Sequence, residues 1–196
     1  MACNKISYRD WCLAYPNMIT KFSSLQQVAV ARHNALHPIR LCAADSVLRD
    51  WQSVLELDMT TKAADDWSIT FLYNQKGATG KSFFSNWMMD QYPDETQSFS
   101  IGSGKAADFA YLIEPNVKYL IFNVTRSGME YFPYVLAEAI KDRKVFSSKY
   151  KPVNKYLRFD VHVIVMCNEH PDESKLSEDR YNIRKWTCQQ PLDTFV

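Results

Sequence analysis

"WSITFLYNQKGATGKSFFSNWM", residues 67–88, is the stretch whose reading decides the fold. A β-branched and aromatic run, Ile69 to Tyr73, gives way to a short glycine-bearing loop ending in Gly80-Lys81-Ser82, and then to residues with helical spacing. That order predicts a strand, a loop and a helix. Such a unit can bind nucleotide phosphates: backbone N–H groups wrap them, the helix N-terminus adds partial positive charge, a lysine adds a full one, and a hydroxyl ligates Mg²⁺. Gly77, Gly80, Lys81 and Ser82 supply those parts. The pattern G-x-x-x-x-G-K-[ST] requires a glycine where Gln75 stands, so the leading glycine is missing. The context remains, since the chain has five glycines and two of them fall between residues 77 and 82. The candidate nucleotide-binding residues are Asn74, Gly77, Ala78, Thr79, Gly80, Lys81 and Ser82, with a nucleotide phosphate and Mg²⁺ as the expected ligands.

Working outward, "SFSIGSG" predicts a short strand and turn, "KAADFAYLIEP" a helix, "KYLIFNV" a strand, "YFPYVLAEAIKDR" a helix and "HVIVMCNE" a buried strand. Strands separated by helices predict an α/β fold with a mainly parallel sheet and helices on both faces. "KVFSSKYKPVNKYLRF", mixed basic and aromatic, reads as a hairpin or loop projecting from the sheet. Residues 1–60 read as a small helical bundle. It comprises "YRDWCLAYP", "NMITKFSSLQQVAVARHNALHP" and "DSVLRDWQSVLELDM", the last starting on an Asp45 N-cap. The expected division is therefore a helical region, 1–60, and a nucleotide-binding domain, 61–196.

With 196 residues, 46% of them hydrophobic, the chain can bury a sizeable core. Lys+Arg number 23 against 22 Asp+Glu, so any basic surface that recruits nucleic acid has to be local. No run of about 18 apolar residues is present, which predicts no membrane span. Five widely spaced cysteines without a C-x-x-C pair read as reduced thiols and not as a zinc site. The four histidines likewise form no metal-binding pattern: His33 and His37 are followed directly by Pro38 and read as a helix end.

Two further positions bear on the chemistry. An Asp that holds the Mg²⁺ shell is expected at the end of a neighbouring strand, and "VKYLIFNVTRS" carries Asn123 there. An amide oxygen can accept a hydrogen bond from a metal-bound water but brings no charge. Asn168, after the apolar run of "VIVMCNEHPD", falls at the carboxyl edge of a parallel sheet, where ligands bind in open α/β folds. It either orients water against a γ-phosphate or closes a turn before Pro171.

Taken together, residues 45–186 resemble the superfamily 3 helicase domain, a P-loop ATPase (AAA+-like) domain, of replication-associated (Rep) proteins of circular single-stranded DNA viruses. The nanovirus-like and alphasatellite-like branch is the nearest in pattern. "LRDWQ" resembles the family's Leu-Arg-Pro-Trp-Gln entry, and "WSITFLYNQKGATGKS" its strand and phosphate loop, for which a missing leading glycine is a family habit. "GKAADFAYLI", "LIFNVTRS", "VLAEAIKDRKVFSSKYKP" and "HVIVMCNEHPDESKLSEDRYNIRKW" are similar to later segments in the same order. Asn123 replaces the family's Asp, and Asp142-Arg143 replaces Asn-Gly. No His-x-His or His-x-Gln pair of a nicking domain is present, so DNA nicking and ligation are not expected.

The resemblance implies an ATP-dependent single-stranded DNA translocase in a ring, usually of six subunits, working in the host nucleus. It implies that Lys81 holds the β- and γ-phosphates, that Ser82 and Asn123 serve Mg²⁺, and that Asn168 senses the γ-phosphate. Arg180 is the candidate arginine finger, set against a surface arginine paired with Glu178 or Asp179. Lys149, Tyr150 and Lys151 are the candidate DNA contacts, set against an ordinary charged loop. The competing expectation, raised by Asn123, is a nucleotide-binding oligomerisation and DNA-binding module with weak or no hydrolysis.

Overall fold

The computed structural model describes residues 40–43, 45–102, 105–150 and 152–185; the helices expected before residue 38 lie outside them, as does Lys151. The described chain from Leu41 onward belongs to one compact unit. Its helices are α1 (Asp50–Thr61), α2 (Lys81–Gln91), α3 (Ala106–Leu112) and α4 (Tyr134–Lys141). Its strands are β1 (Ile69–Tyr73), β2 (Thr96–Ile101), β3 (Tyr119–Val124), β4 (Lys144–Ser147), β5 (Val153–Tyr156), β6 (His162–Cys167) and β7 (Tyr181–Lys185). Five strands form one sheet in the order β2-β3-β6-β1-β7, and every neighbouring pair is parallel. β4 and β5 make the separate antiparallel hairpin expected of the basic, aromatic segment. The expected α/β class and parallel sheet are both found.

Period-two alternation sends the strands' apolar residues to two cores. Leu120, Phe122, Val163 and Val165 face the core built with α3 and α4, where Phe109, Leu136 and Ile140 are buried. Ile121, Ile164 and Met166 face the opposite core, built with α1 and α2 through Trp51, Leu55, Met59, Phe84 and Met88. Both faces are covered, which is why β1, β3 and β6 read as nearly continuous apolar runs.

Three elements differ from expectation. α1 starts at Asp50 and not near Asp45, because the Arg49 amide donates to Gln52 Oε1 at 2.8 Å and fixes the N-terminus there. Its apolar residues Trp51, Leu55 and Met59 are buried in the sheet's core. α4 starts at Tyr134, with Pro133 at its N-cap and a 3₁₀ turn, Met129–Tyr131, ahead of it. β7 was not expected from sequence: as an edge strand whose first four residues are all partly exposed, it lacks the apolar run of a central strand.

The register levels the strand ends. Tyr73 lies opposite Cys167, and Asn123 opposite Met166, so residues 74–80, 125–128 and 168–170 all leave the sheet at its carboxyl edge.

Candidate functional site

At that edge β1 sends its chain to α2 on one face, whereas β2 and β3 send theirs to α3 and α4 on the other. Connections leaving to opposite faces open a crevice at the strand ends, the usual ligand position in open α/β sheets. Residues 74–80 occupy it. The Asn74 amide donates to Cys167 O at 3.2 Å, and Asn74 Oδ1 accepts from the Lys76 amide at 2.8 Å, which fixes the start of the turn. Further on, Ala78 (φ 58°) and Gly80 (φ 90°) are left-handed while the residues between and after them are not. Such alternation turns successive N–H groups into one concavity, a geometry that binds anions.

Three side chains hold this shape from below. Arg49 Nη1 donates to Ala78 O at 3.3 Å, Trp51 Nε1 to Thr79 O at 3.3 Å and Gln52 Nε2 to Gly80 O at 2.8 Å. In a trans peptide the carbonyl of one residue and the N–H of the next point opposite ways. Pinning the carbonyls of 78, 79 and 80 toward α1 therefore turns the amides of 79, 80 and 81 away from it. Among the described residues no hydrogen bond occupies the amides of Thr79, Gly80, Lys81 or Ser82. Gly80, at the N-cap of α2, has no side chain to fill them. Its φ of 90° favours glycine, and a Cβ there would stand 2.8 Å from Gln52 Nε2 and push that strut aside.

Lys81 is partly buried beside this concavity. Its Nζ donates to Cys167 O at 3.3 Å and to Asn168 Oδ1. Both acceptors are neutral. Burial and the nearby charge of Arg126 push the Lys81 ammonium below the usual lysine range, while Cys167 acts the other way. The Cys167 thiol is itself pushed up to about 12 by burial and is neutral at pH 7, so it offers Lys81 no countercharge. Asn168 is thereby placed beside the loop of residues 74–80, holding the lysine head.

The metal-binding part of the expectation does not fit. Ser82 is exposed, but Asn123 is tied one helical turn further on: its Nδ2 donates to Ser85 Oγ at 2.7 Å and Ser98 Oγ at 3.1 Å. Its Oδ1 is enclosed with no hydrogen-bond partner. Mg²⁺ prefers carboxylate and water oxygens, and Asn123 offers neither a charge nor an open oxygen. Among the described residues no cluster of three His, Cys, Asp or Glu side chains could hold a metal.

Arg180 departs further from expectation. It is 5% exposed, its Nε lies 3.2 Å from Glu138 Oε1, its Nη2 lies 3.4 Å from Asp142 Oδ1, and its guanidinium stacks 3.8 Å above the Trp67 ring. The partners are Glu138 of α4 and Asp142 at its C-cap, and not Glu178 or Asp179. A guanidinium enclosed by two carboxylates and an indole is not presented to a neighbouring subunit, so the finger role is not carried forward. At the hairpin, Lys149 pairs with Asp108 at 2.6 Å, and Tyr150 is 81% exposed and left-handed (φ 58°) at the turn, with its ring 5.3 Å from that of Tyr111.

Sequence reasoning did not give Arg49, Trp51 and Gln52 their role as struts, nor assign one to Arg126. The Arg126 signal is its place two residues past the end of β3, on the ligand-bearing edge. The segment "LRDWQ" that carries the struts resembles a family motif, but their role has no local signal, because their partners lie about 28 residues away.

No family profile matches the chain. It is similar to the Para-Rep C1 protein of the Milk vetch dwarf C1 alphasatellite, 34% identical over 136 residues, covering 69% of this chain and 46% of that protein. Para-Rep C1 of the Faba bean necrotic yellows C11 alphasatellite is 34% identical over 145 residues, covering 72% and 49%, and Para-Rep C7 of the Faba bean necrotic yellows C7 alphasatellite is 35% identical over 147 residues, covering 72% and 50%. The chain thus spans about half the length of the curated relatives it matches. Among solved structures, the A form apo structure of the NrS-1 C-terminal region has a TM-score of 0.45 and 14% identity, covering 69% of this chain and 33% of that one.

Proposed function

We infer that this Rep-like chain, a relative of the alphasatellite Para-Reps, is the nucleotide-driven motor part of a replication-associated protein. It binds ATP at residues 74–82 as a P-loop ATPase does and uses it to move along single-stranded DNA. The observation that carries this reading is the strutted loop: four unoccupied amides beside a lysine whose acceptors are all neutral. Such a group favours an incoming triphosphate. The strand order and the loop's place at the β1 crevice suit the same reading. So does the relation to Rep proteins.

In this reading Lys81 and the amides of Thr79 to Ser82 hold the phosphates. Asn168 keeps the Lys81 head turned toward them until a phosphate oxygen takes its place. Tyr150 offers a stacking face and Lys149 a cation to the single strand, in a homo-oligomeric ring, as the Rep resemblance implies. The nucleus is the implied place of work. No helix among the described residues is long and apolar enough to cross a membrane.

A second reading, a nucleotide-binding oligomerisation module without turnover, is favoured by the enclosed Asn123. Calorimetric titration of ATP into folded protein tests the first claim: uptake is expected, and no uptake sinks both readings. Phosphate release in the presence of Mg²⁺ and single-stranded DNA then separates them. Turnover by the natural chain supports the motor; turnover that appears only in Asn123→Asp supports the module.

A further inference from the structure

Arg126 sits at the apex of the turn Thr125–Gly128, and that turn is locked. The Thr125 amide donates to Ile101 O at 3.0 Å and the Gly128 amide to Thr125 O at 2.9 Å. A Cβ on Gly128 would come within 2.6 Å of both Ile101 O and Thr125 Oγ1, so the turn closes only around glycine. From this anchored turn the guanidinium reaches over the phosphate loop: Nη2 is 3.5 Å from the place a Cβ on Gly77 would occupy. Arg126 is exposed, and among the described residues it has no hydrogen bond or ion pair. The charges of Arg126 and Lys81 thus converge on one loop.

The same edge holds the misfit already described. Where a metal-holding acid is expected, the chain has an amide fixed between Ser85 and Ser98 with its oxygen enclosed. One source of positive charge is weakened there, and another is added at Arg126.

We propose that Arg126 is a phosphate-contacting residue, its guanidinium gripping triphosphate oxygens beside Lys81, and that the chain consequently binds a nucleoside triphosphate with little dependence on a divalent cation. This rests on the reading of residues 74–82 as a triphosphate site. A guanidinium suits the task because its fork meets two phosphate oxygens at once and is always charged. The locked turn fixes its position before the ligand arrives, which limits the ordering cost of binding.

The test is calorimetry of ATP with wild-type protein and with Arg126→Gln, each in Mg²⁺ and in EDTA, with circular dichroism as the check on folding. Wild-type affinity is expected to differ less than about threefold between the two buffers, and Arg126→Gln to lose roughly tenfold or more in EDTA. Wild-type uptake that is strong in Mg²⁺ and vanishes in EDTA overturns the proposal and points instead to a metal held by another group, such as the exposed Glu169 beside Asn168. Equal affinities for the two proteins in EDTA also overturn it. In both cases the nucleotide-binding reading stands. Failure of wild-type protein to take up ATP in either buffer removes the reading and the proposal together.

Discussion

Two lysines withdrawn from solvent stand at opposite edges of the same sheet, and their surroundings differ in one respect. Lys141, at the end of α4, is 4% exposed, and its Nζ meets Asp65 O at 2.9 Å, Val161 O at 2.9 Å and Asp65 Oδ1 at 3.3 Å. Lys81, at the start of α2, meets a carbonyl and an amide and no carboxylate. Burial lowers the pKa of both, but Lys141 has the Asp65 carboxylate to oppose the shift, where Lys81 has the thiol of Cys167. A buried cation with its own anion ties chain segments together: here Lys141 joins α4, the approach to β1 and the approach to β6. A cation without one remains available to a ligand that brings the negative charge.

The contrast is broken most directly at Lys81. Lys81→Ala is expected to weaken ATP binding by about 100-fold or more while leaving the melting temperature unchanged or slightly raised, because an unpaired ammonium is removed. A large fall in melting temperature with intact ATP uptake would reverse the assignment. Lys141→Ala should do the opposite, costing about 2–4 kcal/mol in urea unfolding through lost packing and orphaned acceptors, with ATP affinity retained.

Gly80→Ala is a smaller perturbation that affects both quantities. Its φ of 90° and the 2.8 Å approach to Gln52 are costly for a side chain. A loss of about 1–2 kcal/mol in stability is expected, together with weaker ATP binding because the third strut is displaced.

The smallest effect lies at the structural edge. Partial desolvation raises the pKa of the exposed Asp65, but hydrogen bonds from Ser68 Oγ and the Trp67 amide and the charge of Lys141 outweigh this and bring it from 3.8 to about 2. A carboxyl depressed on folding stabilises the native state above its unfolded pKa, and that stability is lost as pH falls through the folded one. With its side chain 57% exposed, Asp65 is expected to contribute roughly 1 kcal/mol after screening, present at pH 5 and disappearing between about pH 4 and pH 2. Urea midpoints of wild type and Asp65→Asn should converge over that window. Constant separation down to pH 2 would show that the carboxylate charge plays no part.

What could be read beforehand follows the range of the interactions involved. β1, β3 and β6 are covered on both faces, so their burial is written as consecutive apolar residues and was legible. The turn into α2 was legible because glycine, lysine and serine are adjacent in the chain. β7 was not, since an edge strand with half-exposed residues carries a weak pattern. Neither was the enclosure of Arg180, which depends on Trp67, on Glu138 of α4 and on Asp142 at that helix's C-cap, all brought up by the fold. The struts from Arg49, Trp51 and Gln52 and the reach of Arg126 are contacts between distant segments, and no window of sequence encodes them.

Those struts carry a consequence for modularity. The short glycine-lysine-serine signature is not self-supporting here: its curvature is borrowed from side chains that precede the strand altogether. A fragment cut at Trp67 would retain every residue of the signature and lose the scaffold that aims its amides, and grafting the signature onto another α/β sheet would transfer letters without transferring geometry.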